Sequence, residues 1–228
     1  MSFHRLAARV AIVIPAFNEA KSIDAIVSGV AVFGTPIVVN DGSTDNTEQV
    51  AAEAGALLVC HEGNLGYDRA LTSGIAKALA EGFDFVITLD GDGQHEPIHI
   101  RSFLFQLKEG ADLVIGIRDR YQRVSEKIFS VLAKWLWGIE DPLCGMKGYR
   151  LSKLERLQSL SSYPSIGTEL AIRGARSGWN IHQVAVSTCD RNGTSRFGIG
   201  LYANWRIFRA MLTGLLHAKA YSTENKST

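Results

Sequence analysis

The sequence predicts an α/β fold in which a mainly parallel mixed sheet carries helices on both faces. Short apolar runs rich in β-branched residues alternate with helical patterns through the first half of the chain. Strands that alternate with helices form βαβ units, whose sheets are mostly parallel and buried on both faces. The chain has 228 residues, 46% of them hydrophobic, and no repeat or linker divides it. This length and composition predict one large domain with a full core.

The elements of the first half follow from their patterns. The predicted strands are short apolar runs at residues 10–14, 36–39, 57–59, 83–89 and 112–117. The predicted helices between them, at 19–32, 44–54, 67–80 and 97–108, place apolar residues at helical spacing. Pro97 suits a first helical turn, because the N–H that proline lacks has no helical partner there.

After Arg118 the alternation is less regular. We expect a helix at 121–139, a strand at 143–149, a helix at 168–177 and a strand at 181–187. A polar loop at 191–196 and a helix at 201–216 follow.

The composition bears on the kind of partner and on the cellular location. The 24 Lys and Arg nearly balance the 23 Asp and Glu, so the overall charge of +1 does not favour a nucleic acid. Cys60, Cys144 and Cys189 are far apart, and their odd number without a signal peptide predicts reduced thiols in the cytoplasm. No run reaches the ~20 apolar residues of a membrane span. The expected location is cytoplasmic, with peripheral contact at the inner face of the cell membrane as a further expectation.

The most informative segment is Asp90-Gly91-Asp92-Gly93-Gln94, which follows a predicted strand. Residues two apart in an extended chain project to the same side, so Asp90 and Asp92 can converge near Gln94. Two carboxylates and an amide oxygen suit Mg²⁺ or Mn²⁺, with water and substrate phosphates completing the coordination. The segment therefore predicts a divalent metal site. The alternative is a polar turn with solvated aspartates.

Two other predicted strands also end in polar segments. Residues 15–19 (Pro-Ala-Phe-Asn-Glu) follow the first strand, and residues 40–45 (Asn-Asp-Gly-Ser-Thr-Asp) follow the second. Ligands of open α/β sheets bind at the carboxyl ends of strands. Glu19 and Asp41 can accept hydrogen bonds from a base or a ribose. These strand ends predict a nucleotide pocket, although Thr44 and Asp45 also suit the cap of a helix.

In this order, the segments resemble the motifs of the family 2 glycosyltransferases over about residues 10–196. Residues 14–19 resemble the opening motif, 40–45 the base-binding motif, 64–66 (Asn-Leu-Gly) the start of a helix and 89–95 the metal motif. Gln94, the strand end at 116–118 (Gly-Ile-Arg) and the loop at 191–196 (Arg-Asn-Gly-Thr-Ser-Arg) are similar to dolichol-phosphate mannosyltransferases and bacterial polyprenyl-phosphate glycosyltransferases. Ile117, Cys144 and Asp68-Arg69 depart from the residues usual in that subgroup.

The resemblance implies one catalytic domain of the glycosyltransferase-A fold over residues 1–228. Its nucleotide-sugar-binding half would be 9–117, its acceptor half 118–200 and its C-terminal amphipathic helix 201–220. The implied contacts of the nucleotide sugar are Pro15, Ala16, Asn18, Glu19, Asp41, Asp90, Gly91, Arg191 and Arg196. The implied ligands of Mg²⁺ or Mn²⁺ are Asp90, Asp92 and Gln94, and the catalytic candidates are Asp92, Arg118, Glu169 and Arg196.

The predicted reaction is an inverting transfer of a hexose from a UDP- or GDP-sugar to a polyprenyl (dolichyl or undecaprenyl) phosphate. A lipid phosphate needs cations rather than a base, and Arg118 and Arg191 are the candidates. A hydroxyl acceptor needs a general base, for which Glu169 is the candidate unless it only favours the start of its helix. A saccharide or other hydroxyl acceptor is therefore one alternative, and a non-catalytic nucleotide-binding module is another.

Two predicted helices combine an apolar stripe with basic neighbours. The stripe of 121–139 is Val124, Ile128, Val131, Leu132, Trp135 and Ile139, and that of 201–216 is Leu201, Trp205, Phe208, Leu212 and Leu215. Tryptophan beside Lys and Arg is typical of a helix at a membrane interface. Contact with a membrane surface is one interpretation, and packing of both stripes on the sheet is the other.

Overall fold

The computed structural model describes residues 8–91, 96–120, 123–157, 160 and 165–187. The strands are β1 (Val10–Ala16), β2 (Thr35–Asn40), β3 (Leu57–Cys60), β4 (Phe85–Thr88), β5 (Leu113–Arg118), β6 (Lys147–Arg150) and β7 (Ile181–Val186). The helices are α1 (Ile23–Ala31), α2 (Thr47–Glu53), α3 (Tyr67–Ala80), α4 (Ile100–Lys108), α5 (Val124–Trp137), α6 (Leu151–Leu154) and α7 (Ile166–Arg176). A 3-10 turn at Pro97–His99 leads into α4.

The strands form one sheet in the order β3-β2-β1-β4-β6-β5-β7. Strand β6 runs antiparallel to its neighbours β4 and β5, and the other adjacent strands are parallel. The predicted α/β class with a mainly parallel mixed sheet is therefore confirmed. Because β2, β1 and β4 are parallel neighbours, their carboxyl ends lie side by side at one edge.

Helices cover both faces of the sheet and bury its centre. Every residue of β1 is buried, and successive residues of a strand point to opposite faces. Ile12 and Ile14 belong to a core shared with α1 and α4. Ala11 and Val13 belong to a core shared with α3 and α7. This burial on both faces explains why the strands are continuous apolar runs in the sequence.

Helices α1 and α2 begin later than predicted. The helix expected at 19–32 begins at Ile23, and the helix expected at 44–54 begins at Thr47. The polar residues before these helices bond to each other across the two loops instead of entering a helix. The Thr47 hydroxyl accepts a hydrogen bond from the Glu19 N–H at 2.8 Å, and the Asn18 side-chain oxygen accepts one from the Thr44 N–H at 2.8 Å.

The second half of the chain departs further from the prediction. The strand expected at 143–149 is shorter, because residues 141–145 form a loop and β6 begins at Lys147. Helix α7 begins at Ile166, two residues before its predicted start at 168. The short helix α6 was not predicted. The loop at 191–196 and the helix at 201–216 lie outside the described residues.

Helix α5 turns a partly polar side to the protein and most of its apolar stripe to solvent. Its buried residues are Glu126, Phe129, Ser130 and Ala133. The exposed fractions of Val124, Ile128, Val131 and Trp135 are 78%, 55%, 63% and 81%. Packing on the sheet is therefore the wrong interpretation for these stripe residues of α5. Among the described residues, no helix has the length and apolar character needed to cross a membrane.

Candidate active site

The candidate site lies where β1, β2 and β4 end at the same edge. Ala16 pairs with Asn40, and Val13 pairs with Thr88. The pairing continues past the strands, because the Asp41 N–H donates to the Ala16 carbonyl at 2.9 Å and the Leu89 N–H donates to the Val13 carbonyl at 3.0 Å. The loops that follow these strands thus meet at the edge where open α/β sheets bind ligands.

Side-chain hydrogen bonds join the loops after β1 and β2. The Asn18 N–H donates to the Ser43 hydroxyl at 2.9 Å, and the Ala20 N–H donates to Asp45 Oδ2 at 3.2 Å. Asn18 has a φ of 57°, a left-handed conformation that asparagine tolerates better than most residues. Slight burial opposes the charge of Asp45, but hydrogen bonds from Thr47 and the Ala20 N–H outweigh it and lower the pKa of Asp45. Asn18 thus helps to shape the loop, and its nucleotide contact stays a prediction.

Asp41, the predicted partner of the base or ribose, is only 4% exposed. Its carboxylate accepts hydrogen bonds from the N–H groups of Leu65 at 2.9 Å and Gly66 at 2.8 Å. His61 Nδ1 lies 2.7 Å from Asp41 Oδ1, and His61 Nε2 lies 2.9 Å from the Ser73 hydroxyl. Asp41 therefore holds the turn before α3 in place. Its contact with a nucleoside stays a prediction.

Asp90 follows β4 and lies between two neighbouring segments. The Tyr67 hydroxyl, at the start of α3, donates to Asp90 Oδ1 at 2.6 Å. On the other side the carboxylate lies over Gly145, where an added Cβ atom would be 2.2 Å from Asp90 Oδ2. The Gly145 carbonyl accepts a hydrogen bond from the Thr88 hydroxyl at 2.7 Å, which holds this loop against β4. The Asp90 carboxylate therefore has a defined position at the edge of the sheet.

Glu19 and Gly91, two further predicted contacts of the nucleotide sugar, are connected through one hydroxyl group. Glu19 Oε2 accepts a hydrogen bond from the Ser22 hydroxyl at 2.8 Å, and the same hydroxyl lies 3.3 Å from the Gly91 carbonyl. Ser22 thus links the loop after β1 to the loop after β4. Pro15 and Ala16 are buried in the last positions of β1. The nucleotide-sugar contacts of these residues stay predictions.

Asp90 is the one predicted metal ligand that lies within the described residues, since Asp92 and Gln94 lie outside them. In the described part of the chain, no group of three or more His, Cys, Asp or Glu side chains could hold a metal. Asp90 fits the role of a ligand, because its half-buried carboxylate has its orientation fixed by Tyr67 and Gly145. A hard oxygen of this kind suits Mg²⁺ or Mn²⁺. The complete ligand set stays a prediction.

The loop at residues 141–145 lies beside Asp90, and buried side chains hold this loop through hydrogen bonds to its carbonyl groups. The Lys147 ammonium, 2% exposed, donates to the carbonyls of Pro142 at 3.1 Å and of Cys144. The Thr168 hydroxyl of α7 donates to the Pro142 carbonyl at 3.1 Å. Burial, with the nearby charge of Asp141, raises the pKa of Cys144 to about 11. The Cys144 thiol is therefore neutral near pH 7.

Arg118, the predicted phosphate ligand, is paired with carboxylates. Its Nε and Nη2 donate to Asp141 at 2.7 and 2.9 Å in a bidentate arrangement, and Nη2 lies 3.4 Å from Glu126. Burial opposes the charge of Arg118, but the hydrogen bonds and charge of Asp141 outweigh it and raise the pKa of Arg118. Arg118 thus joins β5 to the loop at 141–145 and to α5. Its phosphate contact stays a prediction, and Arg191 and Arg196 lie outside the described residues.

Glu169, the candidate general base, lies in the first turn of α7 and is 1% exposed. Arg173 Nη1, one turn further along α7, lies 3.6 Å from Glu169 Oε1. A carboxylate in the first turn also stabilises a helix through its dipole. The position therefore fits a structural role, and the role of base stays a prediction.

Sequence reasoning did not single out His61, Tyr67 or Lys147 as functional candidates. The only available signal for Tyr67 is its position directly after the Asn-Leu-Gly segment. For Lys147 the signal is a lysine inside a predicted strand, since lysine is almost never fully buried without a partner. No local pattern marks His61.

The fold is α/β, and the loops after β1, β2 and β4 bring the polar residues Glu19, Asp41 and Asp90 to the carboxyl edge of the sheet, where open α/β sheets bind ligands. A family model described as glycosyl transferase family 2 matches residues 11–158. The chain belongs to glycosyltransferase family 2.

Relatives with assigned names agree with this family. An uncharacterized glycosyltransferase of Mycobacterium tuberculosis is 30% identical over 196 residues, which cover 81% of this chain and 87% of the relative. A dolichyl-phosphate hexose transferase of Haloferax volcanii is 28% identical, over 82% of this chain and 85% of the relative. A polyprenol monophosphomannose synthase of Mycolicibacterium smegmatis is 28% identical, over 80% of this chain and 78% of the relative. The predicted resemblance to the polyprenyl-phosphate branch is confirmed, and the chain is a glycosyltransferase.

A solved structure shows the same fold. It is glucosyl-3-phosphoglycerate synthase from Mycobacterium tuberculosis in complex with Mn²⁺, UDP and glucosyl-3-phosphoglycerate. The TM-score is 0.75 at 24% identity, and the match covers 91% of this chain and 80% of that chain. This likeness confirms the predicted glycosyltransferase-A fold.

Proposed function

We propose that the protein transfers a hexose from a UDP- or GDP-sugar to a polyprenyl phosphate at a membrane surface. The observation that carries this proposal is the position of Asp90, held between Tyr67 and Gly145 at the edge where β1, β2 and β4 end. A nucleotide sugar at this edge would meet the loops that contain Glu19 and Asp41. The names of the Haloferax and Mycolicibacterium relatives support a lipid phosphate as acceptor.

Asp90, with Asp92 and Gln94, would hold a divalent cation at this edge. When bound, Mg²⁺ or Mn²⁺ supplies positive charge that stabilises the departing nucleoside diphosphate. The protein's own contribution is to orient the carboxylates. The complex of the structural neighbour with Mn²⁺ and UDP makes these two the first probes to test.

The transfer replaces one bond at the anomeric carbon. An oxygen of the acceptor phosphate forms a bond to this carbon, while the bond from the carbon to the donor diphosphate breaks. The electron pair of the broken bond leaves with the nucleoside diphosphate, and in-line attack inverts the configuration. A phosphate monoester is ionised near pH 7, so no general base has to remove a proton from it. Arg118, Arg191 and Arg196 are the proposed phosphate ligands.

The orientation of α5 supports an acceptor that lies in a membrane. The exposed residues Val124, Ile128, Val131 and Trp135 follow each other at helical spacing, so they form one apolar face, the α5 face. Lys127 is exposed on the same helix. An apolar face with basic neighbours matches helices that lie in the interface of an anionic membrane. The α5 face begins six residues after Arg118, one of the proposed phosphate ligands.

Trp135→Glu is expected to weaken binding to vesicles of phosphatidylcholine and phosphatidylglycerol by about 10-fold or more. Burying a large apolar side chain contributes roughly 1.5–3 kcal/mol, and glutamate also repels the anionic surface. Co-sedimentation with vesicles measures the change. Because Trp135 is 81% exposed, the melting temperature is expected to stay the same.

Phe105→Glu is the matched control, because Phe105 is a 61% exposed aromatic residue on α4, away from the α5 face. This variant is expected to bind vesicles like the wild-type protein. Equal vesicle binding by Trp135→Glu and the wild-type protein would contradict a membrane role for α5.

A hydroxyl acceptor is the second candidate function. It is favoured by the position of Glu169, which lies next to Thr168 and thus near the loop at 141–145. With such an acceptor, Glu169 would remove the hydroxyl proton as the new bond to the anomeric carbon forms.

One assay tests the proposed function and separates the two acceptors. Vesicles that contain polyprenyl phosphate are incubated with labelled UDP- or GDP-hexoses, Mn²⁺ and protein, and the lipid product is measured. The wild-type protein is expected to form a lipid-linked hexose from one of these donors. Glu169→Gln is expected to stay within a few-fold of the wild-type rate, whereas a general base predicts a loss of ~10²-fold or more.

Glu109→Gln, which changes an exposed glutamate after α4, is the control for Glu169→Gln. The melting temperatures of both variants establish that they are folded. Absence of lipid product with every UDP- and GDP-hexose would refute the proposed function. Transfer to a hydroxyl acceptor that is lost in Glu169→Gln would establish the second candidate.

A further inference from the structure

The turn at the start of α3, residues 65–68, contacts separate parts of the candidate site. The N–H groups of Leu65 and Gly66 donate to the buried Asp41. The next residue, Tyr67, donates to Asp90, and Asp68 Oδ1 accepts a hydrogen bond from the Ile166 N–H at 2.9 Å. We call these residues the α3 turn. It connects the nucleoside side of the site, the proposed cation ligand and the first residue of α7.

We propose that Tyr67 is a positioning residue, which orients the Asp90 carboxylate for a divalent cation, and that Asp68 ties the start of α7 to the same turn. This inference rests on the proposed function, because it assigns Asp90 to a cation. Neither residue needs to touch the donor or the acceptor.

The Tyr67 hydroxyl is suited to this role because it is a neutral donor. It lies 2.6 Å from Asp90 Oδ1, whereas Gly145 borders Oδ2. An ionised carboxylate offers about four lone-pair sites on two oxygens, so a hydrogen bond from Tyr67 is compatible with cation binding by the same carboxylate. The negative charge that attracts the cation is also retained. Tyr67 therefore fixes the direction of the carboxylate without neutralising it.

Backbone hydrogen bonds hold the turn itself, as a positioning role requires. Gly66 has a φ of 90°, a conformation that glycine adopts without steric cost. The carboxylate of Asp41, which receives the N–H groups of Leu65 and Gly66, is buried. Asp41 therefore fixes the backbone just before Tyr67, and this fixes the position from which the phenol ring extends.

Asp68 completes a series of contacts that runs from α3 through α7 and the loop at 141–145 back to Asp90. Its carboxylate binds the first N–H of α7, where a negative charge is favourable to the helix dipole. Helix α7 carries Thr168, which donates to Pro142 in the same loop as Gly145. Gly145 borders Asp90, to which Tyr67 donates. A shift at the start of α7 would therefore move both neighbours of the Asp90 carboxylate, Tyr67 through Asp68 and Gly145 through the loop at 141–145.

The test measures Mn²⁺ binding rather than turnover. Wild-type protein, Tyr67→Phe and the control Thr72→Val are titrated with MnCl₂ in the presence of UDP and, separately, GDP. The electron paramagnetic resonance signal of free Mn²⁺ gives the dissociation constant. Thr72 is also on α3, and its hydroxyl donates to the Asp68 carbonyl within the helix, so Thr72→Val also removes one hydroxyl from α3.

Tyr67→Phe is expected to raise the Mn²⁺ dissociation constant by about 10-fold or more, as loss of an outer-shell partner does in other metal sites. Thr72→Val is expected to bind Mn²⁺ like the wild-type protein. The melting temperatures without Mn²⁺ are expected to be similar for all of these proteins. Equal Mn²⁺ affinities in Tyr67→Phe and the wild-type protein would overturn the inference.

Asp68 supplies a second pair of variants that does not depend on Tyr67. Asp68→Ala removes the acceptor for the Ile166 N–H and is expected to lower kcat for transfer several-fold, with KM for the donor unchanged. Asp68→Asn keeps a side-chain oxygen and is expected to restore most of kcat. An equal loss of kcat in both variants would refute the role of Asp68 in connecting the α3 turn to α7.

The wild-type titration separates failure of this inference from failure of the proposed function. If the wild-type protein binds no Mn²⁺ with either nucleotide, the proposed function itself fails.

Discussion

Asp90→Asn is expected to lower hexose transfer by on the order of 10²–10³-fold, the loss seen when one group that stabilises developing charge is removed. Asparagine has nearly the same shape and keeps an oxygen that can accept the Tyr67 hydrogen bond. It removes the negative charge that would face the divalent cation, and it replaces one carboxylate oxygen with an NH₂ group, which cannot bind a cation. The measurement is kcat/KM at saturating Mn²⁺. The melting temperature should change little, because the side chain is half-buried and keeps its volume.

Asp24→Asn is the matched control, since Asp24 is an exposed aspartate on α1 and is not one of the proposed ligands of the cation or the donor. Its transfer rate is expected to equal that of the wild-type protein. The Mn²⁺ titration of Asp90→Asn should also shift to higher concentrations. If Asp90→Asn keeps more than about a tenth of the wild-type rate, Asp90 is not a ligand of the cation on which the proposed function depends.

The strands were predictable because residues buried on both faces of a sheet form a continuous apolar run in the sequence. Each residue of β1 is buried, so the strand reads as an unbroken apolar run. The starts of α1 and α2 were not predictable in the same way. Glu19 and Thr44 look like residues at the start of a helix, but their backbone N–H groups bond to side chains of the opposite loop, 28 and 26 residues away. Such bonds depend on the pairing of β1 with β2, which no local pattern encodes.

In the candidate site, too, some features have a local signal in the sequence and others depend on long-range contacts. The sequence placed Asp41 and Asp90 at one edge, because the ends of parallel strands meet there. It did not predict what holds their carboxylates, since the partners come from distant segments. Tyr67 lies 23 residues before Asp90, and Ile166 lies 98 residues after Asp68. A tyrosine or aspartate in the first turn of a helix is common, so only the position of α3 beside the loop after β4 and beside α7 reveals these contacts.

Helix α5 illustrates a limit of periodicity. Its apolar stripe was visible in the sequence, and periodicity identifies an apolar face without saying what covers it. In the structure most of the stripe faces solvent, whereas Phe129, Ala133 and the arginine-paired Glu126 lie on the buried side of the helix. The buried side of α5 thus combines a small apolar cluster with a paired glutamate, a combination that the apolar periodicity alone does not predict.

Gly145→Ala is expected to lower hexose transfer by about 10²-fold while leaving the protein folded. The added methyl group would lie 2.2 Å from Asp90 Oδ2 and 2.7 Å from Asp90 Cγ. Such an approach cannot persist, and the aspartate side chain gives way more easily than the backbone of the loop. The carboxylate then turns away from its position and loses the Tyr67 hydrogen bond. A displacement of ~1 Å in a reacting arrangement can cost about 10²-fold in rate.

The conformation of Gly145 makes this a test of the carboxylate rather than of the backbone. Gly145 is not among the described residues with positive φ, so alanine can adopt its backbone conformation. Gly63→Ala is the control, because Gly63 also lacks a positive φ and an added Cβ there would meet no atom within 4 Å. Transfer rates and melting temperatures of the two variants are compared with those of the wild-type protein. Wild-type transfer by Gly145→Ala would mean that the direction of the Asp90 carboxylate does not control the reaction.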